Sequence, residues 1–305
     1  MVASLDTSYV GVHDFGPDKE QGPDLLVTTL HGETSHDGPL FKGIQGLRDG
    51  LEPADEAIFD EYLDLDADVY SEEVAWSFIQ QLMERRPDLA VRWAQVNVHR
   101  AILDCNRGNV EESIRKLWLN DGSQAPILGR LRLVHLEVME ALAKAADGVP
   151  FVFDIHTMYS FSPQAPQVSG SQALQEGRAA LRSYVEAYRE ARAVGVRRPL
   201  DIIFQDGHGR RYSDAHLAGA LLESTQSAGI QSKLDSPYNL GVKDIVSKRL
   251  LEGRVGVVVD IPKGLLRNPS IKSPLYMPEE VDDDRVDAVA STFVKAWEKR
   301  LSLTA

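Results

Sequence analysis

Short apolar, β-branched runs alternate along the chain with longer segments in which apolar positions recur every three or four residues. The runs Asp24–Leu30, Arg92–Val98, Val149–Ile155, Leu200–Phe204, Ile230–Leu234 and Val255–Ile261 are each bounded by Gly, Pro or charged residues, and they predict strands. Leu131, Val134, His135, Val138 and Leu142 fall on one helical stripe, as do Leu181, Tyr184, Val185 and Tyr188. Further helices are expected at Ser71–Glu84, Asp214–Ala228 and Val281–Leu303, the first two opened by Ser and Asp side chains able to cap exposed N–H groups. This alternation predicts an α/β protein, a three-layer sandwich around a central, mostly parallel mixed sheet, folded as one domain with long loops at Gly32–Pro53 and Ser160–Ser171. His135 and His216 lie inside helices and are expected to be packed or surface histidines.

Composition narrows the function classes. The chain has 305 residues, 33 Lys+Arg against 46 Asp+Glu, and a formal charge of −13, a balance that repels phosphate backbones and argues against nucleic acid as a partner. It leaves room for a local basic pocket. The single Cys105 excludes a disulfide framework and multi-cysteine zinc sites, so a metal must be held by His and carboxylates. A thiolate flanked by Asp104 is poorly activated, and Cys105 is expected to be packing. No apolar run approaches the ~20 residues that span a bilayer, and the first ten residues lack the regions of a signal peptide, so a cytoplasmic protein without membrane contact is expected. GxGxxG, P-loop and Gly-x-Ser-x-Gly patterns are absent, and the Ser/Gly stretch Val168–Ser171 reads as a loop.

In open α/β sheets ligands bind beyond the carboxyl ends of the strands, so the residues after each predicted strand are the candidates. They include His31, Glu33 and His36; His99, Arg100, Asp104, Asn106 and Arg107; Asp154 and His156; Asp206 and His208; and Asp260 with Lys263. Two His and one carboxylate commonly hold a catalytic divalent metal, and His31, Glu33 and His156 supply that set, with His36 a rival for the second position. Asp154, two residues back on the same strand face, is placed to orient His156 or to support the strand end. Arg100 and Arg107 match a carboxylate in bidentate pairs and point to an acidic substrate, or to salt bridges on an acidic surface. Asp260 ends a run of Val residues, as a buried structural carboxylate or as a general base.

Several of these stretches resemble the N-formylglutamate amidohydrolase family, which is distantly similar to zinc carboxypeptidases and to the succinylglutamate desuccinylase/aspartoacylase group. LLVTTLHG is similar to its strand ending in His-Gly, HRAILDCNRG to its HR…DxNR stretch, and FDIHTM to its DCHSM. The block from Asp206 to Gly241 is similar to DRHGT…DPYxGG, and VGVVVDIPKGLL stands where the family has a strand ending in Glu-Ile-Asn-Arg. The blocks keep the family's order over roughly residues 24 to 266.

The resemblance implies a phosphorylase/hydrolase-like, zinc exopeptidase-like fold and a metal-dependent amidohydrolase that removes a small, formyl-like acyl group from an N-acyl acidic amino acid. It implies His31 and His156 as zinc ligands, Asn106 and Arg107 as contacts of the substrate carboxylate, and Arg100 as an oxyanion or second carboxylate contact. Glu33 is offered as the third ligand of one zinc ion, Asp260 as the base, Tyr238 as a group closing over the leaving amine, His208 as a supporting donor and Lys263 as a further substrate contact. The related peptidases space the first two ligands as His-x-x-Glu, whereas Glu33 follows His31 by two residues, ahead of Thr34, Ser35 and His36. Asp260 is one methylene shorter than the family's Glu. Within Asp64–Tyr70, Asp66 and Asp68 are expected to belong to a solvated helix approach rather than to the site. The competing expectations are an idle relative that binds an acidic metabolite or partner without turnover, and a carboxypeptidase acting on peptide C-termini.

Overall fold

The computed structural model describes residues 9–35, 38–43, 51–117, 125–162, 177–241, 245–273 and 275–302. Its strands are β1 (Val10–Phe15), β2 (Leu25–Thr29), β3 (Val91–Val96), β4 (Phe151–Met158), β5 (Leu200–Ile203), β6 (Ser232–Leu234) and β7 (Val255–Pro262). They form one mixed sheet in the order β1-β3-β2-β4-β7-β5-β6. The pairs β2/β3, β2/β4, β4/β7 and β5/β6 are parallel, while β1/β3 and β5/β7 are antiparallel. The carboxyl ends of β2, β3, β4 and β7 therefore share one edge of the sheet, and β5 arrives at that edge with its amino end.

The helices are α1 (Pro39–Gly43), α2 (Pro53–Asp66), α3 (Ser71–Arg85), α4 (Val110–Ser113), α5 (Ala125–Ala146), α6 (Arg178–Val194), α7 (Ala215–Ser227), α8 (Val246–Leu251) and α9 (Asp283–Ser302). Strand alternation assigns them to faces. Phe153 of β4 meets Phe78 of α3 at 4.8 Å and Phe293 of α9 at 5.2 Å, and Phe151 meets Trp297 of α9 at 5.0 Å. Offset aromatic pairs of this kind are each worth about 0.5–1.5 kcal/mol beyond their burial. The intervening residues, Asp154 and His156, must face the other side, where Arg92 of β3 reaches the Ala145 carbonyl of α5.

All six expected strands are present within a few residues, and the expected layers and mixed sheet are observed. β1 and α2 were not expected. Asp214 caps α7, its carboxylate accepting from the Leu217 N–H at 2.8 Å, but Ser71 does not cap α3; Tyr70 precedes that helix in a left-handed conformation and no side chain caps it. His135 is buried, its Nε2 2.7 Å from the Arg107 carbonyl, and Cys105 is buried in the core. His36, most of Ser160–Ser171 and the end of the last expected helix lie outside the described residues. Among the described residues no helix is long and apolar enough to cross a membrane.

Candidate metal centre

Three acidic or basic side chains line up across adjacent strands. His156 on β4 is opposite Asp260 on β7, and Asp260 is opposite Asp201 on β5. Register partners project to the same face, so the three form one row at the shared carboxyl edge. His31 follows β2 at the same edge.

The connection from α2 to α3 brings the next group over this row. Lys263 Nζ donates to the Leu65 carbonyl at 3.0 Å, Thr157 Oγ1 to the Val69 carbonyl at 2.9 Å, and Tyr70 Oη to the Met277 carbonyl at 2.8 Å. Tyr70 has φ 74°, a left-handed conformation costly for a bulky residue, and these tethers hold the turn in place. The result is that Asp68, 2% exposed, sits against His156. One ligand atom from each of His31, Asp68 and His156 lies within 4.8 Å of the others.

The donor set passes a chemical test for a metal. Two imidazoles and one carboxylate, with a coordination position left for water, are a catalytic zinc set. His31 Nδ1 is buried with no hydrogen-bond partner among the described residues, an expensive condition that an ion would relieve. Burial pulls the His31 imidazole below its usual range, against the pull of Asp68 and Asp104, and a neutral imidazole is what a metal requires. His156 Nε2 lies 3.1 Å from Asp154 Oδ2 and Nδ1 lies 3.3 Å from Asp68 Oδ2. Burial opposes a charge on His156, yet Asp154 and Asp68 outweigh it and push the imidazole up to about 10. Asp154 is itself fixed by Thr28, whose hydroxyl donates to it at 2.6 Å, so it orients His156 through Nε2 and leaves Nδ1 toward Asp68.

Behind His31 stands a carboxylate that strand-end reasoning left without a role. Asp104 Oδ1 lies 3.3 Å from His31 Nε2 and accepts the Asn106 N–H at 3.1 Å, and its other oxygen meets Arg115, with Arg107 Nε at 3.6 Å. Burial would raise Asp104, but Arg115 and Arg107 hold it well below the usual carboxylate range. Arg107 is thereby drawn toward Asp104. Asn106 Oδ1 accepts from both the N–H and the hydroxyl of Ser247 at 2.9 Å, which ties it to the first turn of α8 and removes that carbonyl from substrate contact. Arg100 donates to Asp68 Oδ1 at 3.1 Å, while its buried Nε has no partner among the described residues.

Asp260 is buried, with Oδ1 unpartnered among the described residues, and burial pushes its carboxyl up to about 6, with Asp68 adding to the rise and His156, Arg100 and Arg198 opposing it. Asp201 accepts the N–H groups of Ser236 at 2.8 Å and Tyr238 at 2.7 Å, and Arg198 donates to the Tyr238 hydroxyl at 2.8 Å. Tyr238 is thus held at the Asp201 end of the row. Arg198 and Asp201 stand at the amino end of β5, which is antiparallel to β7, so the residues that follow the strand do not include them.

Three expected site residues are placed differently. Glu33 does not join the group around His31; its Oε1 accepts the Ser35 N–H at 2.8 Å within its own loop, and Asp68 supplies the carboxylate instead. His208 follows the carboxyl end of β5, which runs antiparallel to β7, so it is exposed at the opposite edge. Lys263 is buried and committed to the Leu65 carbonyl, and burial pulls it down to about 8. It is closed off from solvent and tied to the last turn of α2, three residues before Asp68.

Gly32 lets a further carboxyl close on the His31 loop, since a Cβ there would fall 1.7 Å from Glu72 Oε1. Burial pushes Glu72 up to about 7, and Oε1 has no partner among the described residues. A carboxyl raised in the folded state binds its proton more tightly than in the unfolded chain, so stability falls as pH rises from about 4.5 through about 7. Glu72→Gln is expected to raise Tm at pH 8 relative to the parent chain, by on the order of 1–3 kcal/mol in stability, with the gain vanishing by pH 4. Thermal melts at both pH values check this, and an equal gain at both would refute the titration.

No protein-family model matches the chain, and no curated protein matches it by sequence. Solved structures do. The gene product Atu2144 from Agrobacterium tumefaciens superposes with a TM-score of 0.57 at 16% identity, covering 97% of this chain and 96% of that one. N-formylglutamate amidohydrolase from Ralstonia eutropha JMP134 superposes with a TM-score of 0.52 at 13% identity, covering 97% of this chain and 100% of that one. The fold expected from the motif resemblance is therefore the fold observed: this chain is built on the framework of N-formylglutamate amidohydrolase over nearly its whole length.

Proposed function

We propose that this protein is a metal-dependent hydrolase of amide bonds that removes a small, formyl-like acyl group from an N-acyl acidic amino acid in the cytoplasm. The observation that carries the proposal is the meeting of His31, Asp68 and His156 within 4.8 Å, beside the buried carboxylate of Asp260. His31, Asp68 and His156 would hold one zinc ion. Such an ion, when bound, lowers the pKa of water and polarises a carbonyl oxygen. Asp260 accepts the proton of the attacking water and returns it to the leaving amine. Arg100, fixed through Asp68, stabilises the charge that develops on the carbonyl oxygen. Arg107 and Tyr238 bind the acidic amino acid, and Asp104 and Asp154 keep the two imidazoles oriented.

Zinc titration of the full chain in buffers of different ionisation enthalpy is the direct test. Asp154 and Asp68 favour the protonated form of the His156 imidazole, whose Nδ1 faces Asp68. Zinc binding is expected at a ratio near one, with release of about one proton per ion, so affinity weakens as pH falls. N-formyl, N-acetyl and N-succinyl forms of Glu and Asp are then assayed for free amine. Absence of zinc binding sinks the metal centre, and binding of the panel without turnover sinks the enzyme. Release of C-terminal residues from peptides in place of acyl groups sinks the substrate class.

A further inference from the structure

A cavity of about 490 Å³ lies past the ends of β4 and β7, where Ser160 and Gly264 form part of its wall. Five cations line it, Arg192, Arg197, Arg267, Lys272 and Arg285, and no carboxylate does so among the described residues. In a chain with 46 acidic and 33 basic side chains, that concentration runs against the average surface. Two of the cations are structural clamps: Arg192 donates to the Lys272 carbonyl at 2.8 Å and Arg267 to the Ser273 carbonyl at 3.0 Å. These bonds fix the wall segment that carries the Lys272 ammonium.

Arg267 is 6% exposed, pairs with Glu280 at 2.9 Å and stacks 4.9 Å from the centre of the Tyr276 ring. Its Nε is buried without an acceptor among the described residues. The Arg285 guanidinium has a long contact to Asp282, at 3.8 Å. Arg197 and Lys272 are exposed, and neither is paired with a carboxylate among the described residues. A polar cavity with a buried guanidinium short of an acceptor and two exposed cations at its rim has the chemistry of an anion site.

We propose that this cavity binds an oxyanion group, carboxylate or phosphate, of a small anionic ligand. Its recognition elements are Arg197, Lys272 and Arg267, none of which belongs to the metal centre. Ser160 and Gly264 lie four residues beyond His156 and Asp260, at most about 14 Å of chain, so an acidic peptide is long enough to touch both places. The proposal does not depend on the metal centre being catalytic.

Calorimetric titration of the full chain with inorganic phosphate, triglutamate and triglycine tests it. Phosphate or triglutamate is expected to bind, more weakly as NaCl is raised, and the exposed pair Arg197→Ala/Lys272→Ala is expected to weaken that binding by about tenfold or more. Displacement of phosphate by triglutamate assigns the site to peptide carboxylates, and phosphate binding that triglutamate does not disturb assigns it to a free oxyanion. Affinity unchanged in the double variant places the anion elsewhere, including at a bound metal, and overturns the proposal. Triglycine binding as tightly as triglutamate, or neither anion binding, overturns it as well. Because both substituted residues are exposed, the variant keeps the fold, which its unchanged Tm verifies.

Discussion

Asp260→Asn is expected to lower kcat/KM by roughly 10²–10⁴-fold while making the fold more stable at neutral pH. The first half follows from position: Asp260 faces His156 across the β4/β7 pair with one oxygen unpartnered, and a positioned general base contributes about that factor. The second follows from its environment. Burial raises the carboxyl from the unfolded value of 3.8 to about 6, so the unfolded chain ionises first and folding must hold a proton or bury a charge. That contribution is present below pH 4 and is lost as pH rises through 6, which amounts to about 3 kcal/mol at most above that range.

An amide of the same shape carries no such penalty, so the variant is expected to melt higher than the parent chain at pH 8 and equally at pH 4. Bound zinc lowers the Asp260 pKa, because an adjacent cation favours the carboxylate, and kcat/KM of the loaded parent chain rises with pH along the ionisation of this group. Steady-state kinetics, with zinc content measured in parallel, is the deciding experiment. A variant that retains zinc and loses less than tenfold in kcat/KM removes Asp260 from the reaction.

The layers of this fold were legible because apolar, β-branched runs and helical stripes are strong local signals. β1 was not, because VGVHDF lies at the sheet edge and its last three residues are only partly buried, which leaves too few apolar positions to mark a strand. α2 was hidden by its acidic composition, since only Phe59, Tyr62, Leu63 and Leu65 of its fourteen residues are buried. Strand direction was beyond reach as well. The residues after a strand mark the site edge only if the strand runs parallel to its neighbours, and β5 does not, so His208 was counted at the wrong edge while Asp201 was overlooked. A signal existed, for Asp201 interrupts the apolar run LDII just as Asp260 interrupts VGVVVDI.

The three residues that could hold a metal divide in the same way. His31 and His156 sit on or beside strands, where the register dictates position. The carboxylate comes from a connection whose course depends on three distant tethers, at Thr157, Lys263 and Met277, and spacing from His31 could not locate it. Glu33 has the right chemistry one residue short of the His-x-x-Glu spacing, and a local partner in Ser35. Local spacing selects a ligand only when the backbone between is regular, and the residues after His31 are loop.

Removing the Asp68 carboxylate is expected to damage both stability and metal binding, and the pairing explains why. Asp68 is buried between Arg100 and His156; burial alone would raise its carboxyl, but Arg100, His31 and His156 reverse this and hold it well below the usual range. Asp68→Ala leaves the Arg100 guanidinium and the His156 imidazolium without their common partner, and breaking a buried pair on one side costs about 3–5 kcal/mol. A depressed carboxylate contributes stability above its unfolded pKa of 3.8 and loses it as pH falls further, so the gap between parent and variant is expected to be widest at pH 7 and to narrow toward pH 2. Urea unfolding at both pH values measures it, and an equal gap at both contradicts the ion-pair account. Asp68→Asn, which keeps the shape, separates folding from metal binding: it is expected to fold and to lose zinc. Glu33→Gln is expected to keep zinc at the parent affinity, because that carboxylate closes only its own loop. Were Glu33→Gln to lose the ion and Asp68→Asn to keep it, the carboxylate assigned by geometry would have to be exchanged for the one assigned by spacing.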